Sequence, residues 1–208
     1  MKRADAALVR DLGLVDYEPT WAAMRSFTAQ RTPYTRDEIW LLQHPAVYTT
    51  GVAGRAQHLP RVAGDIPLIK VDRGGQVTYH GPGQVVAYTL IDLGRAGLSV
   101  RGLVERLEQA VLDLLERYGQ KGERRAGAPG VYVSGAKIAA LGVRIRGGCS
   151  YHGLSLNVDI DLTPFAAIDP CGYPDLRVTR LRDLGVEEPA QRVAQRLAEQ
   201  LLRQLFRP

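Results

Sequence analysis

The chain has 208 residues, 45% of them hydrophobic and 24% charged, with a formal net charge of +5. That length supports one well-buried domain, and the composition excludes a disordered or fibrous polymer. Two cysteines are too few for a disulfide framework and no apolar run reaches membrane-spanning length, so a reduced cytoplasmic setting is expected. The positive balance points to an acidic partner, either a nucleic acid or an acidic protein. The basic start, MKRADAALVRDLGL, is interrupted by Asp5, Arg10 and Asp11 and does not form the apolar core of a signal peptide.

ADAALVRDLGL reads as a first strand. From Asp16 a helix is expected, with Tyr17, Trp21, Met24 and Thr28 at helical spacing. DEIWLLQHP reads as a strand closed by His44-Pro45, and AVYTTG as a short strand after it. GVAGRAQHLPRVAGD, residues 51–65, has the composition of a long surface loop. IPLIKVDR and GQVVAYTLIDL are strands on either side of a glycine-rich loop, RGGQVTYHGPGQ, at residues 73–84. The clearest helix starts at Ser99, a good N-cap. It carries Leu103, Leu107, Val111, Leu114 and Tyr118 down one face, and Gly119 ends it. GVYVSG, KIAALGVRIR and GLSLNVDIDL are three more strands. Thr163-Pro164 opens a short helix, and Pro189 opens a last one striped by Val193, Leu197, Leu201 and Leu205. Strands dominate the middle, with helices between and after them. The fold class expected is α+β, in one domain over residues 1–208.

The glycine-rich stretch invites a phosphate-binding reading. It lacks Gly-Lys-Ser/Thr, however, and a strand rather than a helix follows it, so neither a P-loop nor a dinucleotide-binding turn fits. Its glycines permit a sharp bend and close approach, with Arg73, Thr78 and His80 as polar handles. The plainer alternative is a tight strand connection with incidental polar residues. Among nucleophiles, Cys171 in IDPCGYPD follows a short helix, in a turn where a thiol is reachable and free amides could meet an oxyanion. Cys149 in RGGCSYHG precedes His152 in another turn, as a nucleophile and base or as part of a metal site, although nothing else completes a zinc set. Either cysteine could equally be a small buried apolar side chain. Strand alternation places Lys137 in the row of Ala139, Leu141, Val143 and Ile145, opposite Ile138, Ala140, Gly142, Arg144 and Arg146. A lysine in an apolar row either snorkels to water from the strand end or serves as a base or thiolate partner.

Taken in order, RGGQVTYHGPGQ, KIAALGVRI, YHGLSLNV and DPCGY resemble the motifs of the lipoyl(octanoyl) transferases, over a span from about HPAVYTTG to VTRL. The resemblance implies the catalytic fold of the biotin and lipoate protein ligases, a mixed β-sheet flanked by helices. It implies transfer of an octanoyl group from octanoyl-acyl carrier protein to a lysine of lipoyl domains, those of 2-oxoacid dehydrogenase E2 subunits and glycine cleavage H protein. Cys171 would be the acyl-thioester nucleophile and Lys137 its acid/base partner, with Cys149 structural. Arg73, Gly74, Gly75, Gln76, Val77, Thr78, Tyr79 and His80 would form a wall of the acyl site. Ala140, Leu141, Gly142, Gly153, Leu154 and Ser155 would line the same site, and the glycines of residues 73–84 would let backbone pack against the acyl chain. No cofactor is implied, neither ATP nor metal, and no nucleic acid or membrane partner; a monomer is expected.

Two positions depart from the family pattern. Asp169 stands where Asn is usual before Pro-Cys, and Ser155 where Ala is common. A carboxylate two residues from the thiol opposes the thiolate, which would make Lys137 matter more. The rival on the same fold is an ATP-dependent lipoate or biotin ligase, which needs no nucleophilic cysteine. The rival of another class is a basic RNA-binding module, which calls for exposed aromatics beside the basic residues, yet only 7% of the chain is aromatic.

Overall fold

DEIWLLQ and QVVAYTL carry apolar side chains at consecutive positions, the pattern of strands buried on both faces. In the computed structural model, which describes residues 7–60, 64–169 and 176–206, they form two strands at the heart of a seven-stranded sheet. In chain order its strands are β1 (Ala7–Leu14), β2 (Asp37–Gln43), β6 (Gln84–Leu90), β7 (Gly122–Glu123), β8 (Gly130–Val133), β9 (Ala136–Arg146) and β10 (Cys149–Asn157). Their spatial order is β1-β2-β6-β10-β9-β8-β7. β1 runs parallel to β2 and the other neighbours pair antiparallel, so the sheet is mixed. A second sheet has the order β4-β3-β5, from β3 (Val47–Thr50), β4 (Leu68–Lys70) and β5 (Val77–His80).

Alternation sorts the large sheet's side chains between two cores. Ile39, Leu41, Val85, Ala87, Leu154 and Leu156 face one side and meet two helices, α3 (Val100–Arg117) and α4 (Ala190–Leu205). Trp40, Leu42, Val86, Tyr88 and Leu90 face the other side, around Met24 of α1 (Tyr17–Ala29). The expected stripes are in place: Leu103, Leu107, Val111 and Leu114 on α3, and Val193, Leu197, Leu201 and Leu205 on α4, are buried. Ser99 caps α3, its Oγ accepting from Gly102 N at 3.0 Å, and Gly119 leaves the helix at φ +71°. The α+β class expected from the sequence is the class observed.

Four local expectations change. RGGQVTYHGPGQ is not a loop throughout, because Val77–His80 pairs antiparallel with β3 as β5. Cys149 and His152 lie inside β10 rather than in a turn. A short helix, α2 (Leu93–Ala96), follows β6, capped by Asp92 accepting from Arg95 N at 3.0 Å. The loop of residues 51–65 contains a 3₁₀ turn, Ala56–His58, that buries His58.

Leu107 is fully buried where α3 meets the sheet core. Leu107→Ala should lower unfolding stability by about 2–5 kcal/mol through lost burial and the cavity left behind, as read by urea denaturation.

Candidate active site

The 73–75 backbone lies directly on β9. Gly74 N donates to Val143 O at 3.0 Å, and the Gly74 carbonyl oxygen is 2.7 Å from where a Cβ on Gly142 would sit. A Cβ on Gly153 would fall 2.1 Å from Ala87 O. These two glycines therefore admit neighbouring backbone. Arg73 is buried, with Nη2 donating to Thr49 O at 2.7 Å and to Thr49 Oγ1 at 2.8 Å, so it ties the loop to β3.

Between the two sheets this contact encloses a mostly apolar pocket with about 470 Å³ of space, mouth included. Arg73, Gly75, Gln76, Val77, Thr78 and His80 form one wall. Ala140, Leu141, Gly142, Gly153, Leu154 and Ser155 form the other. Two of the named residues lie elsewhere. Gly74 lines a neighbouring hollow on the far side of the loop, beside Pro129 and Val143. Tyr79 points away by strand alternation and packs on Tyr48 and Phe165, each at 5.5 Å between ring centroids.

Lys137 is also displaced from its expected row. The β8–β9 register slips between Val131 and Tyr132, so Lys137 pairs with Tyr132 while Ala139 pairs with Val131. Ile138 and Ala139 consequently both enter the helix-side core. The Lys137 side chain passes over Gly130, whose would-be Cβ lies 2.6 Å from Cε, and Gly130 registers with the pocket residue Ala140. Nζ donates to Pro129 O at 3.0 Å and sits 5.3 Å from the Tyr132 ring centroid. Lys137 is only 3% exposed, which removes the snorkelling alternative. Its backbone is clamped on both sides, N to Arg177 O at 2.8 Å and O from Thr179 N at 3.0 Å.

Cys171 lies outside the described residues. Just before it, Asp169 is buried and accepts from His58 Nδ1 at 3.1 Å. Cys149 is buried, and burial pushes its thiol up. Its Sγ bonds Gly147 O at 3.7 Å, while His152 turns to Asp72, so the proposed Cys149–His152 pair does not form. Among the described residues no cluster of His, Cys, Asp and Glu could hold a metal ion.

Sequence reasoning missed a polar floor. Tyr17, Tyr88 and His152 line the pocket, with His44 bonded behind Tyr88. His44 Nδ1 donates to Val15 O at 2.6 Å, leaving Nε2 to accept from the Tyr88 hydroxyl at 2.7 Å. A directed chain of bonds runs beside it. Arg73 donates to Thr49, Thr49 to His80, His80 to Gln84, Gln84 to Asn157, and Asn157 to Thr179 O, the residue bonded to Lys137. Signals for this floor were thin: His44 read only as the end of a strand, and Tyr17 only as a helix-face residue.

The comparisons bear on this geometry. Residues 16–202 match the model of the lipoyl protein ligase A/B catalytic domain. The chain belongs to that family. It is 64% identical to an octanoyltransferase of Aromatoleum aromaticum over 88% of this chain and 79% of the relative. It is also 64% identical to one of Thiobacillus denitrificans, over 86% and 82%. This kinship makes the family member an enzyme, an acyltransferase. A crystal structure of lipoate-protein ligase A bound with ATP superposes with a TM-score of 0.77 at 15% identity, covering 96% of this chain and 85% of that one, which shows the shared fold.

Burial holds His44 down to about 4 and His80 down to about 3, where the neighbouring His44 and Arg73 add to the effect. Both rings are therefore neutral in the folded protein at neutral pH. Unfolded histidine titrates near 6.5, so the unfolded chain takes up protons first. The stability these rings contribute is complete above that value and is lost as pH falls toward about 4. Urea midpoints should fall steadily from pH 7 to pH 4.5, and His44→Gln should flatten part of that slope.

Proposed function

We propose that this enzyme moves an octanoyl group from octanoyl-acyl carrier protein to a lysine of lipoyl domains, through a thioester on Cys171. The observation that carries the reading is the placement of Lys137. Its amine is buried at the level of the apolar pocket, and its strand end is hydrogen-bonded to Arg177 and Thr179, in the chain that continues from Cys171.

The steps follow from the groups. The positive charge of Lys137 favours a Cys171 thiolate. The thiolate attacks the thioester carbonyl, the tetrahedral oxyanion collapses, and the carrier's sulfur leaves as a thiol with the proton of the Lys137 ammonium, which makes Lys137 neutral. The acceptor amine then attacks the Cys171 thioester, Lys137 takes a proton from that amine, and the Cys171 thiolate is released. The thioester supplies its own activation, so the cycle uses neither ATP nor metal. The pocket, with Val77, Val86, Leu141 and Leu154 in its walls, is suited to the acyl chain.

The net charge of +5 suits acidic carrier and lipoyl domains and would speed their encounter. We place the reaction in the cytoplasm, carried out by a monomeric single domain. Among the described residues no helix is long and apolar enough to cross a membrane.

Intact mass spectrometry after incubation with octanoyl-carrier protein and no ATP should show one octanoyl group, removable by hydroxylamine and mapping to Cys171. An adduct on Cys149, or none without ATP, would overturn the reading. Lys137→Met should slow alkylation of Cys171 near neutral pH. It should also cut transfer from preformed acyl-enzyme by roughly 10²–10⁴-fold, while Lys137→Arg restores alkylation but not transfer. Normal rates for both steps in Lys137→Met would remove the lysine from the mechanism. Raising ionic strength should lower kcat/KM for carrier protein and leave kcat nearly constant.

A further inference from the structure

His152 breaks the geometry of its own strand. On regular alternation it would join Leu154 and Leu156 on the helix side of the sheet. Instead its backbone has φ +60°, unusual for any residue but glycine, and its ring stands on the pocket side. There it stacks on Tyr151 at 5.1 Å and meets Tyr88 edge-on at 6.0 Å. A strained conformation held by surrounding contacts is a pointer to function.

The ring is fixed from behind. Nε2 bonds Asp72 Oδ1 at 2.9 Å, and Asp72 also accepts from Trp21 Nε1 at 2.8 Å and from the Tyr151 hydroxyl. Although burial alone would push Asp72 up, these bonds, the one from His152 first, hold its carboxyl well below the usual range. An ionised carboxylate only accepts, so Nε2 carries the proton. Burial keeps the His152 ring neutral at neutral pH against the pull of Asp72. Nδ1 is then a bare acceptor. It is buried, in a side chain 1% exposed, and it has no hydrogen-bond partner among the described residues.

Strand register locates this acceptor relative to the chemistry. Lys137 passes over Gly130, Gly130 registers with Ala140, and Ala140 with Ser155. His152 lies three residues farther along β10, on the order of 10 Å along the strand at about 3.3 Å per residue, and two strand spacings of about 4.8 Å across the sheet from Gly130, so about 14 Å from it. That separation is comparable with an extended octanoyl chain carrying a terminal hydroxyl and its hydrogen bond.

We propose that His152, positioned by Asp72, is a specificity-determining residue whose Nδ1 accepts a hydrogen bond from the far end of the acyl chain. The substrate class it adds is medium-chain acyl thioesters with a hydroxyl on the terminal carbon. A donor there satisfies a buried acceptor that a methyl group leaves unpaired. The inference rests on the reading of the pocket as the acyl site.

The test compares carrier protein loaded with ω-hydroxyoctanoyl and with nonanoyl, chains of equal length ending in hydroxyl and methyl. The ratio of their kcat/KM values is measured in the wild type and in His152→Phe. Because both substrates are read on the same preparation, any loss of folded enzyme cancels. The wild-type ratio should lie near or above one, and His152→Phe should lower it by about tenfold or more. Octanoyl transfer by the wild type with a ratio that the substitution leaves unchanged overturns this inference alone. Absence of octanoyl transfer in the wild type overturns the acyl-site reading and this inference with it.

Discussion

The close approach of the 73–75 backbone to β9 at Gly142 holds the small sheet against the large one. Any side chain at Gly142 would drive the Gly74 carbonyl away and pull apart the walls of the pocket. Arg73 extends the same contact to β3 through Thr49, so one short segment joins β9 to β3. The pocket is the space this docking leaves between Val77, Thr78 and His80 on one side and Val86, Ala140 and Ser155 on the other. Val77, Thr78, His80, Val86, Ala140 and Ser155 come from strands, which fixes that part of the wall more firmly than a loop could.

Within those walls, polar groups are arranged by role. The chain of donors from Arg73 to Thr179 has one direction because Arg73 at its head can only donate. Each following group, including neutral His80, has its orientation set by the one before. The chain joins the glycine-rich motif to Asn157 and then, through Thr179, to the backbone of Lys137. Asn157 and Gln84 thereby brace the strand end that carries the lysine. A fully satisfied buried network of this kind favours one arrangement over its alternatives.

Charge is confined in a similar way. Asp72 and Arg73 enter the site from the loop before β5 and Lys137 from β9, and each has its own polar partners. Burial keeps His44, His80 and His152 neutral, so they add hydrogen-bonding groups and no further charge near neutral pH. Asp169, two residues before Cys171 in the sequence, accepts from His58.

The helices, the sheet strands and most of the pocket walls were legible in the sequence because they follow local rules. Apolar period marks α3 and α4, Ser99 and Gly119 mark the ends of α3, and continuous apolar runs mark β2 and β6. Three of the four ordered motifs located residues now found around one pocket, and Cys171 of the fourth lies outside the described residues. What local rules could not supply was direction. A one-residue slip opposite Tyr132 moved Lys137 out of the apolar row, and a left-handed backbone at His152 turned that ring from the core to the pocket. Tyr79, inside the motif, faces away from the pocket because β5 is a strand and its neighbours alternate. The floor of Tyr17, His44 and Tyr88 is drawn from three separate elements and has no contiguous signature. Sequence by itself determined the elements and most of the residues that line the pocket. Tertiary structure alone decided which way they point, because a bulge or a positive φ changes a side chain's face without leaving a periodic trace.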